Sequence, residues 1–330
     1  MSNPIEQGRD ASISAIRLIA MLMIIICHIM QYYNNDSCRW FNVGVQIFFV
    51  ISGYLYGGKK IDKPLDFINK GFKKILIPYW LFLILAIILY VFFARDCINL
   101  KILVKAFLCS GTLQGLGHLW FVGYILFCYL LTPYLYWIRK STESESFTYT
   151  VYYFLSLIVI TQVLAISFDS YFMPDRVACY MIGFFIPTIK YKSSTRQKKL
   201  LLGIIFLSAL LMNSFRVYFY SVVVTTIPQI AIIALNHYAH MLLGVSLFLI
   251  LYIIFHNIYH LHYNCILQWS DRQSYSIYIV HLLFILSPFS LMAISNTLIF
   301  NLFLVIISSF SLGYILTECS SKLLVKINKK

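Results

Sequence analysis

The chain has 330 residues, 60% of them hydrophobic and 12% charged, with a mean hydropathy of +0.80. That composition excludes a soluble globular domain and indicates an integral, all-α membrane protein. The formal net charge of +14 is therefore orientation information. Nucleic-acid binding needs basic residues gathered on a folded soluble face, so no nucleic-acid partner is expected.

Apolar stretches of about 20 residues match the hydrocarbon thickness for a helix. Ten spans are predicted, near 13–33, 40–57, 75–94, 118–138, 148–167, 177–191, 199–215, 239–256, 275–294 and 298–318. The apolar region 216–236 competes as an eleventh, and loop charge decides against it. With ten spans and a cytoplasmic N-terminus, 20 Lys and Arg residues fall inside and 6 outside, the latter being Arg39, Arg95, Lys101, Lys105, Arg176 and Arg216. An eleventh span would carry the Lys-rich tail across and blur this asymmetry. Region 216–236 is therefore read as an outer-face excursion or re-entrant segment, and both termini as cytoplasmic. The first span lacks a small-residue cleavage site and is expected to remain in the mature protein. The polar stretches at 58–74, 95–117, 139–147, 190–198 and 257–274 are each too short to bury a core. One transmembrane domain over 1–330, with no separate soluble domain, is the expected organisation.

In chain order, the first span reads SAIRLIAMLMIIICHIMQYY and carries Arg17 and His28. Eleven positions at about 100° and about 1.5 Å each place them on nearly one helix face, roughly 16 Å apart. Taken alone, this is either a snorkelling arginine plus a structural histidine, or a functional pair. The second span, GVQIFFVISGYLYGG, offers small surfaces at Ser52, Gly53, Gly57 and Gly58. The third opens KGFKKILIPYW, with Lys73 and Lys74 at its inner mouth and Pro78 opening the backbone. Lysines there are either anchors or, with Arg17, an anion site. Loop 95–117 is mildly amphipathic, either an interfacial piece or a connector. The fourth span opens GHLWFVGY, where His118 and Trp120 suit an interfacial belt or a pocket. The sixth opens MPDRVACYMIGFF, with Asp175 and Arg176 outside, and the ninth SYSIYIVHLLF, with Tyr275 and, about two turns in, His281.

Eight cysteines are scattered singly without metal-type spacing; Cys38, Cys97 and Cys109 are the candidates for an outer-side disulfide. His256, His260 and His262 form HNIYHLH, whose first pair has metal-compatible spacing, yet no cysteine or acidic residue is near in sequence. A solvated loop is the reading adopted. His237 and His240 are expected to cap or flank the eighth span.

The set RLIAMLMIIICH, GVQIFFVISGYL, KKILIPYW, GHLWF, PDRVACYMIG and SYSIYIVH, in this order, resembles the acyltransferase-3 family of bacterial membrane O-acyltransferases. The resemblance runs from about Arg17 to the last span. It implies an inner-membrane enzyme that takes an acyl group, most often acetyl, from cytosolic acetyl-CoA and places it on a hydroxyl of a cell-surface or secreted glycan. His28 matches the family's essential histidine and Arg17 its partner arginine. Imidazole, the side chain that titrates nearest neutrality, then acts as general base or carries the acyl group. By the same resemblance Arg17, Lys73, Lys74, Ser52 and Gly53 are expected at the coenzyme, and His118, Trp120, Asp36 and Arg176 at the acceptor. His281 and Tyr275 are either structural or catalytic. No metal is expected.

Two departures refine the resemblance. Lys73 and Lys74 stand where many members carry arginine, and Arg176 is followed by Cys179 where the large O-antigen-modifying subgroup often carries glutamate. The second points to a compact branch resembling enterobacterial-common-antigen acetyltransferases and intercellular-adhesin modification proteins. Expected partners are the bilayer, a glycan acceptor in free or lipid-linked form, and separate envelope or polysaccharide-synthesis proteins; homo-oligomerisation stays open. The competing function is a lipid-linked saccharide transporter or flippase, since intramembrane Arg and His also line substrate paths. Transporters commonly show internal repeats, and none is visible here.

Overall fold

A computed structural model describes residues 10–142, 151, 154–159, 163, 174–188, 195–221, 229–262 and 264–328, and every regular element among them is helical. The α-helices are α1 (Ala11–Tyr32), α2 (Cys38–Phe41), α3 (Gly44–Gly57), α4 (Pro64–Phe93), α5 (Leu100–Phe107), α6 (Trp120–Thr142), α7 (Pro174–Phe185), α8 (Thr195–Ser221), α9 (Gln229–Tyr252), α10 (Cys265–Val280) and α11 (Leu298–Asn328). Among the described residues six helical stretches are long and apolar enough to cross a bilayer: Ala11–Tyr32, Pro64–Phe93, Gly117–Lys140, Leu200–Tyr218, Tyr238–His256 and Leu298–Asn328. The architecture is that of a polytopic helical membrane protein.

Several expected boundaries move. The span expected at 40–57 is α3, with 14 residues and a length of about 21 Å, short of the roughly 30 Å hydrocarbon core. That expected at 177–191 falls on α7, which is shorter still at 12 residues. The span expected at 148–167 lies largely, and the loops expected at 139–147 and 190–198 lie partly, outside the described residues. Region 216–236 is no separate segment at its ends: α8 runs on to Ser221 and α9 starts at Gln229, with 222–228 outside the described residues. Polar stretches read as loops prove to be helix beginnings. Pro64 opens α4 at its first turn with Asp66 behind it, a placement suited to the orphan N–H groups and the dipole. Asn264 accepts from Leu267 N at 3.0 Å and starts α10 ten residues before the apolar run.

The chain divides into two compact units. The first holds the described residues up to Ile24, Asp36–Ile61 and those of Leu131–Gln268. Its centre is the contact of α3 with α7, where glycines let the backbones touch. A Cβ on Gly53 would lie 1.9 Å from Tyr180 O, one on Gly57 1.9 Å from Phe184 O, and one on Gly183 2.1 Å from Val50 O. Small residues four apart on one face allow this approach. Arg139 closes the end of α3, donating to Gly57 O and, at 3.1 Å, to Lys59 O. Its guanidinium also lies over the Tyr136 and Phe184 rings, so Arg139 is a buried helix cap.

The second unit comprises Ile25–Asn35, Asp62–Leu130 and Trp269 onward. Here α4 pins the segment that follows it. Tyr79 donates to Ala106 O at 2.6 Å, Trp80 to Phe107 O at 3.3 Å and Tyr90 to Gln114 O. Tyr79 and Tyr90 are fully buried, so each hydroxyl satisfies itself and a loop carbonyl together. The loop's Asn99 caps α5, accepting from Ile102 N at 2.9 Å. All eight cysteines are free, and the disulfide considered among Cys38, Cys97 and Cys109 is not formed. Cys109 sits beside the Tyr79 hydroxyl, and burial pushes its thiol up to about 11, which leaves it unreactive near neutrality.

The span expected at 275–294 is not one helix. α10 ends at Val280, and His281–Phe284 form a 3₁₀ turn that leads into irregular chain up to α11. Pro288 lacks an N–H and disfavours a helical conformation at Ser287, which suits the irregular chain after the turn. The freed groups find side chains: Ser287 Oγ donates to Leu283 O and accepts from Phe289 N, and Ser290 Oγ donates to Ile285 O and accepts from Met292 N. Asn301, 3% exposed, donates to Met292 O and Ser295 O and accepts from Ser295 N.

Replacing Gly53 with alanine is expected to prevent folding of the first unit, because the new methyl group meets rigid helix backbone rather than a side chain that can turn aside. Size-exclusion profiles of detergent-solubilised protein should change from a monodisperse peak to aggregate, whereas Gly58→Ala, which meets nothing within 4 Å, should behave as wild type.

Candidate functional site

The expected site residues divide between the units. Arg17, Ser52, Gly53, Asp36 and Arg176 belong to the first, and His28, Lys73, Lys74, His118, Trp120, Tyr275 and His281 to the second. In the first, Ser52 Oγ donates to its own helix at Phe48 O, 2.8 Å away. The face of Gly53 is filled by the Tyr180 backbone. Asp36 is exposed and pairs with Arg39 at 3.3 Å. Arg17 and Arg176 are half-buried.

In the second unit three histidines from separate parts of the chain meet. The His28 ring centroid lies 5.2 Å from that of His281 and 6.2 Å from that of His118, and the last two are 4.9 Å apart. Each ring is anchored through one nitrogen to a carbonyl oxygen. His118 Nε2 donates to Ile279 O at 2.9 Å, His281 Nδ1 to Tyr278 O at 2.7 Å, and His28 Nδ1 to Gln31 Oε1 at 2.6 Å. A carbonyl only accepts, so these bonds place the ring protons, and in the neutral rings the remaining nitrogen holds a lone pair. For His118 Nδ1 and His281 Nε2 that nitrogen is buried without a hydrogen-bond partner. Such atoms are rare in folded interiors and cost about 1–3 kcal/mol each.

The frame around the rings is built from paired contacts. Tyr278 Oη donates to His118 O at 2.9 Å, and its ring lies 5.3 Å from the His118 ring. Tyr275 Oη donates to Ile75 O at 3.0 Å and ties α10 to α4. Trp120 packs edge-on against Tyr124 at 5.5 Å. Lys73 is half-buried and Lys74 exposed along α4. Gly115, just before His118, has φ +73° and lies so close to the irregular chain that a Cβ would come within 2.5 Å of Leu286 O.

Elsewhere, His256 stacks on Tyr252 at 5.0 Å in a π-helical turn, Ile253–Ile258, and its Nδ1 lies 3.8 Å from Asp10 Oδ2. That acidic neighbour is remote in sequence and was invisible there. Among the described residues no group of three or more His, Cys, Asp or Glu has metal-ligand geometry. His240 is buried within α9, not at its flank, and donates to Arg39 O at 3.1 Å; the His237 side chain lies outside the described residues.

The acyltransferase domain model of the acyltransferase-3 family matches residues 10–318. The chain belongs to that family of membrane acyltransferases. No curated protein and no solved structure matches it. The family match spans both units of this acyltransferase-family protein and includes every histidine of the cluster.

Gly115→Ala is expected to strain the left-handed turn and push the Leu286–Ser287 backbone away, disturbing the chain that follows His281. A loss of about 1–3 kcal/mol should appear as a lower melting temperature of the purified protein, while Gly117→Ala, which meets nothing within 4 Å, should leave it unchanged.

Proposed function

We propose that this protein is a multi-pass O-acyltransferase of the bacterial cytoplasmic membrane, forming one membrane domain of about ten spans with cytoplasmic termini. It moves an acetyl group from acetyl-CoA to a hydroxyl of a surface or secreted glycan. The observation that carries the reading is the histidine cluster. Its buried, unpartnered ring nitrogens are acceptors in the neutral rings, so the ligand that suits them brings O–H donors. A sugar does so; a thioester carbonyl does not.

In the reaction, His28 takes the proton of the acceptor hydroxyl while that oxygen attacks the thioester carbonyl. The carbon–sulfur bond breaks, and the departing thiolate recovers the proton. His118 and His281 accept from hydroxyls beside the reacting one and so orient the sugar. The covalent variant, in which His28 first carries the acetyl group, uses the same residues. By the family resemblance, Arg17, Lys73, Lys74, Ser52 and Gly53 are assigned to the coenzyme. Trp120, Asp36 and Arg176 are assigned to the acceptor. The departure at Arg176 and Cys179 noted above favours the compact branch.

The test is transfer of radiolabelled acetyl from acetyl-CoA in membranes carrying this chain, with extraction of lipid-linked and surface glycans. His28→Ala should lower glycan labelling by at least about 100-fold with the protein still in the membrane. Arg17→Ala should mainly raise the KM for acetyl-CoA. Undiminished labelling in the His28 variant would overturn the mechanism, and no labelling by wild type with acceptor present would favour the transporter.

A further inference from the structure

The first unit contains a second polar cluster, which shares no residue with the histidine cluster. It is assembled from α2, the first turns of α3 and α7, the last third of α8 and the first half of α9. Arg216 Nη2 and His240 Nε2 both donate to Arg39 O, at 2.9 and 3.1 Å. Arg216 Nε also donates to Asn213 Oδ1 at 3.0 Å. Gln46 Nε2 donates to Asp175 Oδ2 at 3.0 Å. Asp175 and Arg176, on neighbouring positions of α7, and Arg216 are the charges that bear on His240.

These groups are deeply placed. Arg216 is 8% exposed, Asp175 5%, Gln46 2% and Asn213 not at all. Arg39 and Arg176 are half-buried and form its accessible side. Two fully paired amides would complete a purely structural network, but neither amide is complete. Asn213 Nδ2 and Gln46 Oε1 are buried without a hydrogen-bond partner. The Asn213 orientation is set by its bond to Arg216, so the orphan atom is a donor. It belongs to the residue that accepts from the Arg216 guanidinium at 3.0 Å. Among the described residues of this cluster, the guanidiniums of Arg39, Arg176 and Arg216 outnumber the carboxylates of Asp36 and Asp175 by one. A buried N–H without an acceptor, in that field, suits an anionic oxygen.

We propose that this cluster binds an anionic group, a carboxylate or phosphate, of the glycan acceptor. Arg176 and Arg39 receive it, Asn213 Nδ2 donates to it, and Gln46 Oε1 accepts from a sugar hydroxyl beside it. Three of the six basic residues that loop charge places on the outer face, Arg39, Arg176 and Arg216, are thereby brought to one site. The proposal rests on the acyltransferase reading for the word acceptor; the anion site itself does not.

The test is the melting temperature of the purified full chain in detergent at fixed ionic strength, titrated with glucuronate, glucose 1-phosphate or glucose. At least one charged sugar should raise it in a saturable way while glucose does not. A response to glucuronate identifies an acidic sugar as the source, and one to glucose 1-phosphate a phosphate-bearing glycan. Asn213→Asp keeps the acceptor for Arg216 but replaces the donor with a carboxylate, and should abolish the shift. Should that variant melt early without ligand, Arg39→Gln, which retains the Arg39 carbonyl, should reduce the shift instead. Equal responses to charged and neutral sugars, or a shift that survives both variants, would overturn the proposal. Acetyl labelling is read separately: anion binding without any transfer would remove the acyltransferase reading and leave the site, and transfer without anion binding would do the reverse.

Discussion

Lipid offers no hydrogen-bond partner to a backbone N–H or C=O, and that constraint organises this protein. It is felt most where helix geometry is abandoned. Between Val280 and Leu298 the chain is irregular, and Ser287, Ser290, Ser295 and Asn301 supply the bonds that a helix would have made for itself. The same rule explains Tyr79, Tyr90 and Trp80, whose polar atoms all end on carbonyls of the segment after α4. Arg139 does for the end of α3 what water does for a helix in a soluble protein.

The break after α10 also explains how a histidine cluster forms. Were α10 to continue, His281 would be one more residue on a helix surface. The 3₁₀ turn instead sets it against Tyr278 O and near the rings of His118 and His28. His118 is held by the mirror arrangement, donating to the end of α10 while Tyr278 donates back to it. Every ring is oriented by one anchored N–H, and for two of them the other nitrogen is left in the interior with no partner. Completed hydrogen bonding would make a core; these open atoms are what the proposed function builds on.

The two clusters differ in a chemically useful way. The histidines of the second unit present acceptors on neutral rings, whereas Asn213 Nδ2 in the first is a donor beside the Arg216 guanidinium. Hydroxyls suit the former and anionic oxygens the latter. Both are features that the hydrophobic pattern conceals, since Gln46 sits singly in an apolar run and Asn213 and His240 lie in short polar patches without visible partners. Only the folded chain brings the residues of each cluster together. The reading of Gly53 and Gly57 as close-approach positions was legible because two glycines four apart mark a helix face without reference to any partner.

Composition and order of motifs alone determined that this is an all-α membrane protein of the acyltransferase-3 type, because hydropathy and a set of local residue patterns are properties of the chain itself. They also singled out His28, a polar residue in a run that otherwise has no need of one. Helix limits were poorly legible: charge marks where a chain becomes polar, not where its helix ends, so α4 and α10 begin ten or so residues earlier than hydropathy suggests. The meeting of His28, His118 and His281 and the distant partners of Arg139 and Arg216 were decided by tertiary structure. Each depends on which groups lie within a few ångströms of one another, and residues 80 or more positions apart settle that only when the chain has folded.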